Sequence, residues 1–461
     1  MSTPFDPCSL TLTEAMTGRP SPSPLQYAFA AKTGAHAGRG GTPPMTAGAA
    51  RQQLSSLLAQ SSASSQGRAL YVHIPFCRVR CSFCNFFKYA ASAELMANYF
   101  DLLLLDLERK AVQPWSQAQP FDAVYIGGGT PTDLTAAQIF TLGQRIQQCL
   151  PLADDCEITL EGRLNKFDDD KFASALKAGF NRFSFGVQSF DTQVRRAAKR
   201  LDDREPLLAQ LKRLTASNAA TIAIDLMYGL PHQTADSWQQ DLEDTLSAGV
   251  DGVDLYQLIQ FKGSGIERDV EKGRITQPMD SPQRALLYQQ GSRYFAQHGL
   301  KQLSYCHWAT SNKERSRYNS LAKSGAEILA VGAGAGGSLA GFGYMQPRDI
   351  EPWQQAIENN QWPVAMMMVK PANYLQDAAL VGACDTGLLT PAQIGAARFR
   401  AAQPLFAKWQ QHGLAKLNIQ AGQDCVELTT AGKFWSVNMA NGMLQYLNQN
   451  PQAVEACETA A

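Results

Sequence analysis

The chain has 461 residues, and its 41 Lys and Arg balance 41 Asp and Glu. No overall charge therefore draws it to nucleic acid or to a membrane surface, and an anionic ligand must be met by a local pocket. Hydrophobic residues make up 45%, enough for a large core and a second, smaller domain, while no run of about 18 apolar residues offers a transmembrane helix. The start, Met1-Ser-Thr-Pro-Phe-Asp6, lacks a basic stretch followed by an apolar one, so a cytoplasmic chain with reduced thiols is expected.

Residues 1–67 are rich in Pro, Ser, Gly and Ala, as in Pro20-Ser-Pro-Ser-Pro24, Gly38-Arg-Gly-Gly41 and Ser61-Ser-Ala-Ser-Ser65. This composition predicts an irregular N-terminal arm. From Leu70 onward apolar strands alternate with helical stretches, with strands expected near 70–74, 122–126, 157–161, 182–187, 221–226 and 253–259. Alternation of this kind implies a parallel sheet. Between the strands, Thr135-Ala-Ala-Gln138 has capping-box spacing, and Gly179 and Gly249 stand where helices should end. The expected fold class is α/β, a partial (β/α)6 barrel over 68–340. An irregular arm precedes it at 1–67, and a smaller, mostly helical domain follows at 341–461.

Directly after the first strand come Cys77, Cys81 and Cys84, in Tyr71-Val-His-Ile-Pro-Phe-Cys-Arg-Val-Arg-Cys-Ser-Phe-Cys84. Three thiolates can hold three irons of a [4Fe-4S] cluster and leave one iron open for a ligand. A structural zinc site would want a fourth ligand, usually from a second pair, and no such pair is present. The other seven of the ten cysteines are scattered and read as small hydrophobes. After the second strand lies Gly127-Gly-Gly-Thr-Pro131, whose glycines allow close backbone approach. Glu161 ends the third strand, Gln188 ends the fourth, and Asp225 interrupts the fifth. Polar groups at the ends of otherwise apolar strands are costly unless they face a polar ligand, and ligands gather at that end of parallel α/β sheets.

The cysteine run and the Gly-Gly-Gly-Thr-Pro loop resemble the radical S-adenosylmethionine (SAM) superfamily, in the branch that contains oxygen-independent coproporphyrinogen oxidase. The resemblance implies a three-cysteine [4Fe-4S] cluster at Cys77, Cys81 and Cys84. It also implies SAM contacts at Gly128, Gly129, Thr130, Glu161, Gln188, Arg200 and Asp225, with Tyr71 and Phe83 flanking the cluster. The implied chemistry is reductive cleavage of SAM to an adenosyl radical.

Within the branch, the porphyrinogen oxidases carry a further Cys where this chain has Phe86. The heme chaperones carry Arg-His-Asn-x-x-Tyr-Trp where it has Ser316-Arg-Tyr-Asn319. A better match is to the anaerobilin synthases, the heme-degrading radical SAM methyltransferases. It rests on His36-Ala-Gly38, Glu161-Gly-Arg163, His307-Trp308, Glu314-Arg315, Tyr318-Asn319, Gly334-Ala-Gly-Gly-Ser338 and Phe434-Trp435. This family implies oxygen-independent opening of heme for iron acquisition, with two SAM per turnover, a flavodoxin-type or similar electron donor and a product-accepting protein as a further candidate partner. For heme itself, His307 and Cys306 offer axial ligands, Trp308 a stacking face, His36 a lid residue, and Arg163 and Arg315 propionate partners. A lone His is more often a hydrogen-bonded structural residue, and exposed arginines are common.

Overall fold

The structure, a computed structural model, describes residues 12–32, 34, 37, 42–62, 64–84, 88–420 and 422–459. It forms two compact units that interleave along the chain: 1–40 with 278–308 and 373–461, and 41–277 with 309–372. The boundaries expected at 67 and 340 are not those observed.

The larger unit is built on a sheet. Its strands are β1 (Arg68–Ile74), β2 (Phe121–Gly128), β3 (Leu152–Gly162), β4 (Arg182–Gln188), β5 (Thr221–Tyr228), β6 (Gly252–Gln257), β7 (Glu327–Val331), β8 (Gly336–Leu339), β9 (Phe342–Met345) and β10 (Met366–Val369). They lie in the order β10-β9-β8-β7-β1-β2-β3-β4-β5-β6. The run from β7 through β1 to β6 is parallel, as alternating βα units require. The expected six-stranded partial barrel is therefore present. What the sequence reading did not anticipate is the edge extension, where β8, β9 and β10 pair antiparallel. These strands are four residues each, too short for a periodic pattern to register.

Helices connect the strands and cover the outside. Ala136–Cys149 starts with the expected capping box at Thr135 and Gln138, and Ala235–Ala248 ends on left-handed Gly249. The helix Ala93–Ala111 buries Tyr99, Phe100, Leu103 and Leu107 on one face. The arm is not irregular throughout, since Ala47–Leu58 is helical and buries Ala50, Leu54, Leu57 and Leu58. Intervening serines and glutamines mask that apolar spacing in the sequence.

The smaller unit combines helices with a three-stranded antiparallel sheet of Leu388–Leu389, Ala415–Gln420 and Gln423–Leu428. The N-terminal segment completes its core. Trp409 donates from Nε1 to the Met16 carbonyl at 2.9 Å, Trp435 to that of Leu25 at 2.9 Å, and Asn438 to that of Ala31 at 2.9 Å. Buried indole N–H groups need partners, and the arm supplies them. Among the described residues no helix is long and apolar enough to cross a membrane.

Candidate functional site

Beyond the end of β1 the chain makes a two-residue bridge, Phe76–Cys77, against Tyr89–Ala90, which fixes the first cysteine. The loop that follows is held at Ser82, whose hydroxyl donates to the Ala197 carbonyl at 2.9 Å and whose carbonyl accepts from Ile266 N at 3.0 Å. Cys77 and Cys81 are buried and Cys84 half-buried, all as free thiols. Burial pushes the Cys77 thiol up, and its electrostatic neighbours include Cys84 and Cys81, so the three are brought together. Thr130 donates to the Cys77 sulfur at 3.3 Å. Arg163 Nη2 and Arg200 Nη1 lie 3.3 and 3.5 Å from the Cys81 sulfur.

Among the described residues no three ligands converge on a point where one metal ion would sit. A [4Fe-4S] cluster makes no such demand, because each of its three thiolates takes a different iron. A set of three free thiols backed by two guanidiniums fits an anionic thiolate cluster.

The glycine loop is explained by the chain's own crowding. A Cβ on Gly127 would stand 2.6 Å from Glu161 Oε2, and one on Gly128, at φ +116°, 2.8 Å from the His73 ring. One on Gly129 would overlap the Phe76 carbonyl. The loop thus packs directly on the cysteine segment and on Glu161. Burial raises the Glu161 carboxyl to about 7, against hydrogen bonds from the Tyr125 hydroxyl and the Gly128 amide.

Gln188, Arg200 and Asp225 converge around Gly186. A Cβ there would meet Gln188 Nε2 at 2.7 Å, Arg200 Nη2 at 3.6 Å and Asp225 Oδ2 at 3.8 Å. A register shift between Gly186 and Gln188 and a left-handed backbone at Gln188, φ +72°, turn that side chain to its place. Strain of this kind persists where surrounding structure enforces it. Gln188 Oε1 is buried without a hydrogen-bond partner. An orphaned acceptor beside Arg200 and Asp225 suits a ligand with its own donors, such as the ammonium and ribose hydroxyls of SAM.

Sequence reasoning missed the aromatic side of the barrel. Tyr318, from the helix Arg317–Lys323, stacks on Tyr125 at 4.7 Å between ring centroids and on Tyr71 at 5.9 Å. The Tyr71 hydroxyl hydrogen-bonds His73 Nδ1 at 2.9 Å, and burial, then nearby Arg348, lowers the His73 imidazole to about 4. The signal for His73 was available: it stands two residues from Tyr71, on the same face of β1.

Phe83 packs on the apolar cluster of Val194, Leu230, Leu258 and Ile266. Of the heme candidates, the two arginines of the larger unit are not brought together. Arg163 directs its guanidinium to Cys81 and to the Val79 carbonyl at 3.1 Å. Arg315 pairs with Asp155 at 2.9 Å, near the other end of β3 and, at about 3.3 Å per residue, roughly 20 Å along the strand from Glu161. Trp308 presents no face for stacking on a macrocycle, because it is 1% exposed and packs between Tyr288 and Phe295. Cys306 and His307 are likewise buried. His36 and Phe86 lie outside the described residues.

Four likenesses bear on this arrangement. The sequence pattern of the Radical SAM superfamily matches residues 71–245. The chain is 36% identical over 400 residues to an anaerobilin synthase of Escherichia coli O157:H7, covering 86% of each protein. It is also 28% identical over 345 residues to a heme chaperone, HemW, of Synechocystis sp., covering 71% of this chain and 80% of the other. Among solved structures, coproporphyrinogen III oxidase (HemN) of Escherichia coli, described as a radical SAM enzyme, superposes with a TM-score of 0.72 at 20% identity over 94% of this chain and all of that one. At that identity the likeness carries the fold.

Proposed function

The chain belongs to the radical SAM superfamily, in its coproporphyrinogen-oxidase-like branch, and from that premise we propose that it opens heme without oxygen, as a C-methyltransferase that yields a methylated linear tetrapyrrole and free iron. Membership brings a [4Fe-4S] cluster on cysteine ligands, SAM and the need for an electron donor. The observation that supports heme opening over heme carriage is the reach of the likeness to the anaerobilin synthase, 86% of both proteins at 36% identity. The likeness to the chaperone is lower and shorter.

In this reading Cys77, Cys81 and Cys84 hold the cluster, and Gly128, Gly129, Thr130, Glu161, Gln188, Arg200 and Asp225 hold SAM. When bound, the cluster and SAM supply one-electron cleavage of a carbon–sulfur bond. The remaining work falls to the chain. Arg163 and Arg200 offset thiolate charge at Cys81. The Gly128 amide and the Tyr125 hydroxyl aim Glu161 for a cationic partner. The tyrosine stack of Tyr71, Tyr125 and Tyr318 gives the interior a flat aromatic wall that excludes water. A second SAM per turnover would supply the methyl carbon.

The test is anaerobic. The reconstituted protein receives heme, SAM and a low-potential reductant, and the heme absorption band is followed together with product masses. Loss of the band with 5′-deoxyadenosine and a methylated linear tetrapyrrole is expected. Heme left intact and protein-bound while SAM is cleaved would overturn the reading in favour of heme trafficking.

A further inference from the structure

An electron must reach the cluster, and the structure offers a thin place for it to enter. Arg78 and Val79 of the cysteine loop, Arg163 after β3, and Arg200 and Leu201 line a narrow crevice, with Asp133, Asn165 and Asp202 completing it. Two of its guanidiniums, those of Arg163 and Arg200, reach the Cys81 sulfur at 3.3 and 3.5 Å. The floor of the crevice is therefore one side chain thick above a cysteine of the cluster loop.

Several cations surround it. Leu201, 49% exposed, is the large aliphatic side chain of this face. The neighbouring Arg80, Lys166, Arg196 and Lys199 are all exposed. Acidic groups offset part of this charge: Arg78 pairs with Asp133 at 2.7 Å, Arg196 with Asp203 at 2.7 Å and Lys199 with Asp269 at 2.9 Å. Asp168 and Asp169 lie near Lys166, Asp169 pairing with Arg213 at 3.0 Å, and among the described residues no carboxylate ion pair holds Arg163, Lys166 or Arg200, so a local positive excess stays on a chain whose total charge is balanced. A charged face of this kind suits a transient protein contact, in which complementary charge sets orientation and encounter rate.

We propose that this face is the docking surface for a small acidic one-electron carrier protein, which delivers its electron to the cluster through the Cys81 side. The carrier is oxidised by one electron and the cluster reduced by one, with no bond made or broken in the transfer. The proposal rests on the cluster alone and is independent of the tetrapyrrole chemistry proposed above.

The experiment uses the reconstituted holoenzyme without heme, and purified flavodoxin as the probe. Arg80→Glu/Lys166→Glu reverses the rim. Lys166→Glu alone leaves the cysteine loop untouched. Lys177→Glu, in the last turn of the helix Asp169–Lys177 that leads to the start of β4 at the opposite strand ends, serves as the reference. Stopped-flow bleaching of the cluster by reduced flavodoxin at about 20 mM salt should slow about tenfold in the double variant and about threefold in Lys166→Glu, with flavodoxin Kd rising in parallel. Both differences should fade at about 0.5 M salt, where the screening length is a few Å. Reduction by dithionite should be the same in all, and Lys177→Glu should match wild type. Unchanged flavodoxin rates and Kd in Lys166→Glu and in the double variant would overturn the proposal. Heme turnover driven by dithionite reports separately on the heme-opening reading.

Discussion

Arg163 and Cys81 stand 3.3 Å apart, guanidinium nitrogen to sulfur, although 82 residues separate them in the chain. The contact exists because β3 ends at Gly162, where the backbone amide of Arg163 donates to the Thr132 hydroxyl at 2.9 Å, next to the cysteine loop. A cation against a ligand sulfur favours the more negative, reduced cluster. Arg163→Met keeps length and removes charge, so the cluster potential should fall. About 60 mV, a tenfold change in a one-electron equilibrium, is the expected scale in an anaerobic titration followed by electron paramagnetic resonance. Iron content should hold. An unshifted potential would show that solvent already screens this charge.

Glu161 gives a pH dependence. Burial raises its carboxyl from the ordinary 4.5 to about 7. An acid whose folded-state pKa lies above its unfolded value binds its proton more tightly when folded, so stability is full below about 4.5, declines as pH rises toward 7 and is level beyond. Asp241, also raised to about 7 by burial, contributes to the same window, so the comparison must be with Glu161→Gln. In ligand-free protein that variant should equal wild type near pH 4.5 and exceed it at pH 8 in urea denaturation. SAM binding should behave inversely. Its affinity for wild type should fall up to about tenfold per pH unit below 7, whereas Glu161→Gln should bind about 10–100-fold more weakly at pH 8 with a flat profile. A flat wild-type profile would remove Glu161 from the SAM site.

Part of this was legible in the sequence. The six parallel strands are legible because each is a run of β-formers, and Glu161 and Gln188 at strand ends and Asp225 within a strand stand out as polar breaks in apolar runs. The cysteines and the glycine loop were legible by type and spacing. What escaped notice depends on contacts between distant segments. Nothing near Met16 says that Trp409 will donate to its carbonyl, so the interleaving of the two units could not be read. Tyr318 stacks on Tyr125 across nearly two hundred residues, and only the folded sheet brings them together. Burial of Trp308 is not legible from the sequence, because a buried and a ligand-stacking tryptophan look alike in one dimension.

Gly129→Ala tests the loop. The added methyl would meet the Phe76 carbonyl, next to Cys77, and the backbone N–H of Gly129 already donates to the Ile74 carbonyl at 2.7 Å, so neither side can yield freely. Overpacking of this kind costs about 1–3 kcal/mol. Here the displaced segment carries Cys77, a proposed cluster ligand, so iron content after reconstitution and SAM affinity should fall together. Gly48, in the helix Ala47–Leu58, has nothing within 4 Å of a Cβ, and Gly48→Ala should stabilise by up to about 1 kcal/mol. If Gly129→Ala reconstitutes fully and binds SAM normally, the crowding is not what demands glycine.

Asp106 and Lys110 form an ion pair in the core, 2.7 Å apart and nearly or wholly shielded from solvent. Lys110 also donates to the Ala330 carbonyl at 2.8 Å, and Asp106 Oδ2 accepts from the Gly332 amide at 3.0 Å. The pair thereby ties the helix Ala93–Ala111 to β7 and to the glycine-rich turn that follows it. The Tyr99 hydroxyl makes a parallel tie, donating to the His73 carbonyl at 2.7 Å and accepting from the Ala333 amide at 3.0 Å. Removing one charge leaves its partner buried and uncompensated, so Lys110→Met should cost about 3–5 kcal/mol. Asp106→Leu/Lys110→Met removes both charges and should cost less than Lys110→Met alone, with a remaining loss because Ala330 and Gly332 each forfeit a partner. Urea midpoints for the two single variants and the double give the coupling directly. A double variant whose loss equals the sum of the singles would mean that the two charges act independently, and that the helix is held by its apolar face rather than by this pair.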